Sequence, residues 1–320
     1  MERIPICDTH AHYDDEAFDS DRGRLLETGL TEGGVEFAVN VGASMRGADA
    51  SAELARRFRV IYAGCGIHPD DVGVFAHAGF MQDADRSEGD GTAAERAGTG
   101  ETGDGSGSGS GTSYDPEEAE ILRRRRLEWA RFSCADEAME HLRKLCSGPK
   151  VVCVGEIGLD YHWMVEEKAV QQRWFREQMR LAFELGLPIN VHSRNAAQDT
   201  FDLIRENYDV GQATGGVIHC YSGSRELARE YVKMGYHLGI GGVITFKNSK
   251  TLKRVVEDTP IERLVTETDC PYLSPEPNRG KRNDSRNIRF VIEKIAELKQ
   301  MDVEECARIL QRNAHEVYRI

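Results

Sequence analysis

Histidines and carboxylates recur where short apolar runs of the chain end. The first run closes with D-T-H-A-H at 8–12, and later runs end at a glutamate, two further histidines and an aspartate. Residues two apart on a strand share a face, so both imidazoles of the H-x-H pair can point to one ion. Imidazole and carboxylate donors suit Zn²⁺, Mn²⁺, Fe²⁺, Co²⁺ or Mg²⁺. The candidate ligands are His10, His12, Glu156, His192, His219 and Asp269.

This ligand set is too large for one open tetrahedral site and matches two ions that share a carboxylate. Glu156 lies in the fourth of eight runs and is the best candidate for the bridge. A water between two cations becomes a nucleophile near neutral pH, and Asp269 can take its proton. We therefore expect hydrolysis at phosphorus or at a polarised carbonyl, with Glu156 and Asp269 as the catalytic carboxylates. The expected ligands are His10, His12 and Asp269 for the first ion, and His192 and His219 for the second.

The elements that must position these side chains form a repeated strand–helix pattern. Helices are predicted at 116–146, 166–185, 285–299 and 302–318. Eight β/α units favour a (β/α)8 barrel, in which functional groups lie at the carboxyl ends of the strands. The alternative is a doubly wound open sheet, but no Gly-rich phosphate loop follows the first run. The apolar runs that predict strands are 4–10, 37–43, 60–69, 150–158, 188–193, 216–221, 236–244 and 263–270.

One segment interrupts the repeat. Residues 79–115 hold 10 of the 32 glycines and a net charge of −6, with Gly-Ser repeats at their centre. A stretch so poor in apolar residues cannot offset the entropy lost on ordering. We predict a flexible, low-complexity insertion between the third and fourth strands of a single domain that spans 1–320.

Charge and cysteine content narrow the class of protein. The formal net charge of −13 argues against binding DNA or membranes through bulk charge, so an anionic substrate would need a local cation. The eight cysteines are scattered without a C-x-x-C pair, which predicts free thiols in a reducing compartment. No apolar run approaches the length of a membrane span, and the start lacks an apolar leader. We expect a cytoplasmic protein.

Together the motifs resemble the TatD family of metal-dependent deoxyribonucleases, which are amidohydrolase-like barrels. The matching pieces are D-T-H-A-H (8–12), G-I-H-P (66–69), V-G-E-I-G-L-D-Y (154–161), V-H-S-R (191–194), I-H-C-Y-S-G (218–223), I-T-F-K (244–247) and E-T-D-C-P-Y-L (267–273). The resemblance implies a TIM barrel, two divalent ions (Mg²⁺, Mn²⁺ or Zn²⁺) and 3′→5′ exonuclease action on DNA ends. It also implies a monomer without an obligate protein partner.

The resemblance extends to residues beyond the six ligands. It implies that Glu267 and His68 lie near the site, where each either contacts a third metal ion or the phosphate, or supports the ligands from behind. Arg194 and Lys247 are the expected phosphate contacts. Tyr221 stands where the family usually has phenylalanine, at a position suited to stacking on a base.

Two other hydrolases remain open on the same barrel. A D-aminoacyl-tRNA deacylase would need the same ions and the same polyanion contacts. Phosphotriesterases and lactonases commonly bridge their ions with a carboxylated lysine on the fourth strand. That run offers Glu156, and its lysine, Lys150, lies at the opposite end, which favours the nuclease.

Overall fold

The computed structural model describes residues 4–72, 129 and 131–320. The chain divides into two compact units, one made of residues 1–73 with 139–320 and the other of residues 74–138. The barrel and the candidate site belong to the first unit. In the second, the described residues are 129 and 131–138, where the amide and hydroxyl of Ser133 both donate to Glu137. The insertion predicted at 79–115 lies outside the described residues.

Eight parallel strands form one sheet in which each strand pairs with the next along the chain. Their residues are nearly all buried, because a barrel strand meets side chains on one face and helices on the other. The predicted (β/α)8 barrel is thereby confirmed. The strands are β1 Ile6–Ala11, β2 Val35–Val41, β3 Ile61–Cys65, β4 Val151–Asp160, β5 Ile189–Arg194, β6 Gly216–Ile218, β7 His237–Ile240 and β8 Leu264–Thr266.

Helices follow the strands around the barrel. The helices of the described residues are α1 Met45–Arg57, α2 Ala135–Cys146, α3 Lys168–Leu185, α4 Ala197–Asp209, α5 Arg225–Lys233, α6 Lys250–Asp258, α7 Ile288–Lys299 and α8 Val303–Tyr318. Between β1 and β2 the chain forms short helical segments at Glu16–Phe18, Arg22–Arg24, Leu25–Gly29 and Leu30–Glu32.

The ends of these helices follow from local sequence. Helix α3 stops at Gly186, whose left-handed backbone (φ 66°) closes the last turn, as the sequence predicts. Asp302 caps α8 by accepting from two backbone amides of its first turn. Helix α2 differs from its prediction, because residues 131–134 are not helical and its described part begins at Ala135.

A seam between β8 and β1 closes the barrel. Ala11 forms an isolated parallel bridge with Cys270, and the amide of Asp269 donates to the carbonyl of His10 at 3.0 Å. The fully buried Asp8 accepts from the Thr268 amide (3.0 Å) and from the hydroxyls of Thr268 and Ser285 (2.6 Å each). These bonds hold the first and last strands together beneath the predicted ligands.

Two predictions about the whole chain can be compared with the structure. All eight cysteines are free, and six of them are buried. Among residues 4–72, 129 and 131–320, helices long and apolar enough to cross a bilayer are absent.

Candidate metal centre

The six predicted ligands lie together at the carboxyl ends of the strands. His10 and His12 come from the end of β1, and Glu156 and His192 from β4 and β5. His219 follows β6 directly, and Asp269 lies three residues after the end of β8. The barrel brings these ends to one rim, so residues from five strands meet in one cluster.

Glu156 is the centre of the cluster, and its two oxygens face different histidines. Oε1 lies 2.9 Å from His192 Nδ1 and 3.8 Å from His219 Nε2. Oε2 lies 3.5 Å from His10 Nε2 and 3.8 Å from His12 Nε2. One oxygen toward each pair of imidazoles is the arrangement that a bridging carboxylate requires.

His10 and His12 converge on the Oε2 side of Glu156. Their Nε2 atoms are only 3.0 Å apart, and Asp269 Oδ1 lies 3.3 Å from His12 Nε2 and 3.9 Å from His10 Nε2. Two ring nitrogens this close cannot both present lone pairs without a proton or a cation between them. The predicted first set of ligands therefore meets around one point.

Buried partners orient two of the histidines. Asn190 Oδ1 lies 2.8 Å from His10 Nδ1, and since the amide nitrogen of Asn190 donates to Thr9 O and the Tyr318 hydroxyl, Oδ1 is the acceptor. His10 thus carries its proton on Nδ1 and turns the Nε2 lone pair to the centre. Such partners typically fix the tautomer of a metal-binding histidine.

Glu267 performs the corresponding task for His219. Its Oε1 accepts from the Cys220 amide at 2.6 Å and lies 3.2 Å from His219 Nδ1, which leaves His219 Nε2 to face Glu156. A Cβ on Gly239 would lie 2.1 Å from Glu267 Oε2, so glycine at this position leaves room for the carboxylate. These contacts favour a positioning role for Glu267 over the direct contact to metal or phosphate that the resemblance also leaves open.

Sequence reasoning did not single out Asp160. Its Oδ2 lies 3.1 Å from His192 Nε2, so His192 stands between Asp160 and Glu156. Strand β4 continues to Asp160, beyond the predicted end at 158, and alternation places Asp160 on the face of Glu156. Extending the strand by two residues in the sequence would have found it.

His68 also reaches the cluster. Its Nε2 lies 3.9 Å from Glu156 Oε1, and its ring meets the ring of His192 edge-on at 4.2 Å. Nδ1 accepts from the Asp70 amide, so the neutral ring carries its proton on Nε2. Burial and the neighbouring His192 lower the pKa of His68 to about 3, which keeps the ring neutral.

Protonation in the metal-free site follows from the carboxylates. Burial opposes the charged form of His12, but Asp269 outweighs it and raises the His12 pKa to about 10. Burial likewise opposes charge on His192, and Asp160 with Glu156 raises the His192 pKa to about 9. The carboxylate of Glu156 keeps a pKa well below its usual range despite burial, because His10 lies beside it.

The donor set fits divalent metal ions. Four overlapping groups each have ligand atoms within 4.8 Å of one another: His10, His12 and Glu156; His10, His219 and Asp269; Glu156, His192 and His219; and His68, Asp160 and His192. Imidazole and carboxylate donors of this kind hold Zn²⁺, Mn²⁺ and related ions.

Comparison with known proteins identifies the family. The family model described as TatD related DNase matches residues 7–319. The chain belongs to the TatD family. Over 315 residues it is 36% identical to the uncharacterized metal-dependent hydrolase YabD of Bacillus subtilis, covering 98% of this chain and 99% of the relative. This TatD-family chain is accordingly a metal-dependent hydrolase.

Solved structures agree with the TatD fold. A TatD homologue of Escherichia coli, YJJV, superposes with a TM-score of 0.72 at 23% identity, and the match covers 99% of each chain. The phosphotriesterase homology protein of Escherichia coli gives a TM-score of 0.57 at 13% identity, over 99% of this chain and 100% of that one. At these identities both likenesses concern the fold alone, so the second adds nothing to the phosphotriesterase alternative beyond the shared barrel.

A groove leads away from the metal centre of this TatD barrel. It is a cavity of 620 Å³ whose lining includes His192, Arg194, His219, Tyr221, Asp269 and Tyr272. Arg194 is exposed at the end of β5, and its guanidinium lies 5.3 Å from the centre of the Trp163 ring. Tyr272 and Trp163 expose 56% and 62% of their surfaces, which leaves both rings free to contact a ligand.

The remaining predicted substrate residues are placed less favourably. Tyr221 lines the groove but is buried, and its hydroxyl donates to the Ser224 carbonyl at 2.6 Å. Lys247 is exposed and is absent from the described lining of the groove. Of the predicted phosphate contacts, Arg194 is therefore the one beside the ligands.

Proposed function

We propose that this TatD-family hydrolase cleaves phosphodiester bonds at the 3′ ends of DNA, with two divalent ions bridged by Glu156. The observation that supports the proposal is the division of the Glu156 oxygens between two sets of histidines. A carboxylate so placed could hold two divalent ions together with these histidines, and such ions would supply the positive charge that a phosphoryl transfer needs.

The residues of the chain have separate tasks in this proposal. When bound, two divalent cations supply positive charge for the phosphate and lower the pKa of an attacking water. Asp269, whose pKa lies below its usual value despite burial because His12 contacts it, accepts a proton on its carboxylate as the water attacks. The Nε2–H group of His68 donates a hydrogen bond to a phosphate oxygen. His10 and His219 stay oriented by Asn190 and Glu267.

Substrate binding requires positive charge and stacking surfaces at the rim. Arg194 lines the groove and supplies a bidentate donor for a neighbouring phosphate. The exposed rings of Trp163 and Tyr272 offer faces for unpaired bases, and stacking of this kind is tolerant of sequence. A frayed or single-stranded 3′ end fits such a groove, and the overall charge of −13 matters less than these local groups.

The test is an assay panel on the purified full chain. Single-stranded DNA labelled at its 5′ end is incubated with Mg²⁺, Mn²⁺ or Zn²⁺, and we expect products shortened stepwise from the 3′ end. EDTA and the Glu156→Gln substitution should both abolish the shortening. Parallel reactions contain a D-aminoacyl-tRNA, a lactone and a phosphotriester. Intact DNA under every metal, together with turnover of one of these other substrates, would overturn the nuclease proposal.

A further inference from the structure

A second cluster of metal-binding side chains lies toward the opposite ends of the strands. Cys7 is the second residue of β1, Glu36 the second residue of β2, and His315 lies on α8. His315 Nε2 is 3.0 Å from Glu36 Oε1, and Cys7 Sγ is 3.9 Å from Glu36 Oε2. The three ligand atoms lie within 4.8 Å of one another. We call this group the Cys7–Glu36–His315 triad.

The imidazole of the triad is poised for a cation. His315 Nδ1 lies 2.6 Å from the Ile320 carbonyl oxygen, and Nε2 faces the Glu36 carboxylate. Both ring nitrogens thus face oxygen atoms, and a metal ion on Nε2 would lie between the ring and the Glu36 carboxylate. A proton on Nδ1 held by a backbone carbonyl leaves Nε2 as the ligand, as in most histidine metal sites.

The other two ligands are also held in place. Gln311 donates to the Glu36 carboxylate. The His315 ring is packed as well, since the Phe37 ring meets it edge-on at 5.3 Å. Cys7 is buried, and its thiol donates to Glu36 Oε2. A bound cation would displace the thiol proton, because the thiolate is the form that binds metals.

The donor types select the ion. Thiolate, imidazole and carboxylate together suit Zn²⁺ and disfavour Mg²⁺ and Ca²⁺, which prefer oxygen ligands. Tetrahedral Zn²⁺ places such ligand atoms about 3.5 Å apart, given its usual bond lengths. His315 Nε2 lies 3.0 Å from one oxygen of Glu36 and Cys7 Sγ lies 3.9 Å from the other, and the three ligand atoms fall within 4.8 Å of one another. His315 and Glu36 are 33% and 41% exposed, which leaves room for water as the fourth ligand.

From this geometry we propose that the Cys7–Glu36–His315 triad binds one Zn²⁺ ion, in a site separate from the metal centre around Glu156. The ion would join β1, β2 and α8, three elements from the two ends of the sequence. Its role is structural, since it ties the last helix to the first strands. The proposal is independent of the substrate of the enzyme.

Cobalt provides a probe that distinguishes this site from the metal centre. The full chain, stripped with chelator, is titrated with Co²⁺, and we expect a thiolate-to-cobalt charge-transfer band in the near ultraviolet. Cys7→Ser should remove the band, while Glu156→Gln and Cys220→Ser should retain it. The Cys220→Ser variant matters because this thiol lies at the metal centre. A wild-type protein without the band, or a band that survives Cys7→Ser, would overturn the proposal.

A second measurement covers the case in which Cys7→Ser fails to fold. His315→Gln and Glu36→Gln change half-exposed residues, and each should lose one equivalent of Zn²⁺ per chain by elemental analysis. The matched control is His141→Gln, which breaks a histidine–carboxylate pair with Asp49 (2.7 Å) outside the triad. Zinc content equal to wild type in both triad variants would refute the site.

Discussion

Replacing Asn190 with alanine tests whether the metal centre depends on a buried amide that contacts no metal. Asn190 is fully buried on β5 and makes three hydrogen bonds: one to His10 Nδ1 (2.8 Å), one to Thr9 O (3.2 Å) and one to the Tyr318 hydroxyl (3.0 Å). Asn190→Ala removes all three. We expect weaker metal binding as well as lower stability.

The magnitude follows from what each partner retains. The Tyr318 hydroxyl donates to Thr9 O at 2.9 Å, so these two groups still satisfy each other in the variant. His10 Nδ1–H alone loses its partner, and an orphaned buried donor costs about 1–3 kcal/mol of folding free energy. Loss of a partner that orients a metal-binding histidine typically lowers metal affinity by about 10–100-fold. Without the Asn190 contact, the His10 ring would no longer be held with its Nε2 atom toward the centre of the cluster.

The assay is competition with a chelator for metal affinity, alongside chemical unfolding of the metal-free protein. Asn313→Ala is the matched control, because Asn313 is equally buried and donates to the carbonyls of Ile261 and Leu264, away from the ligands. It should lower stability and leave metal affinity unchanged. If both variants lose the same stability and neither loses metal affinity, the argument that Asn190 orients His10 is wrong.

Three further predictions concern pH, the shared carboxylate and a tight backbone contact. Burial and the charge of Arg263 lower the pKa of His237 to about 4 in the folded protein, from the ordinary value of 6.5 in the unfolded chain. Between these two pH values the unfolded chain binds a proton that the folded protein does not, so the free energy of unfolding falls as the pH is lowered. Between pH 7 and pH 4, His237→Leu should lose about 3 kcal/mol less free energy of unfolding than the wild type does, as measured by urea unfolding. An equal loss in the two proteins would contradict this prediction. Glu156→Gln should reduce bound metal and abolish turnover, and full metal content by elemental analysis would exclude a bridging role. Gly158→Ala would bring a Cβ within 2.0 Å of the His192 carbonyl, so we expect lower melting temperature and less bound metal; Gly211→Ala, with nothing within 4 Å, should keep the metal.

The positions of the six ligands could be predicted because, in a barrel, residues at equivalent places in successive strand–helix units lie at the same end of the molecule. Each ligand follows or ends an apolar run, and parallel strands bring these ends to one rim. The family resemblance added His68 and Glu267 to the predicted site, and both lie near the cluster. The roles of His68 and Glu267 could not be predicted from the sequence. The hydrogen bonds of His68 Nδ1 and Glu267 Oε1 depend on loops whose backbone conformations the sequence does not specify.

The polar residues that support the ligands were missed for a simpler reason. Asp8 and Asn190 each lie two residues before a predicted ligand on the same strand, and Asp160 lies four after Glu156. Alternation alone would have placed all three on the inner face. A buried amide or carboxylate inside an apolar run cannot be assigned a role in the site until its hydrogen-bond partner is known. The direction of the Lys247 side chain could not be predicted in this way, since Lys247 lies in a loop and no strand alternation applies to it.

The seam that closes the barrel has a consequence for how the protein is made. The Asp8–Thr268 hydrogen bonds join residues 260 positions apart, so the first ligands emerge long before the last. Closing so long a loop costs conformational entropy that only the complete strand pairing repays. During synthesis His10 and His12 are therefore translated long before Asp269, and a nascent chain contains at most part of the metal centre. The complete site, and with it hydrolysis, arises only after the whole barrel has been translated.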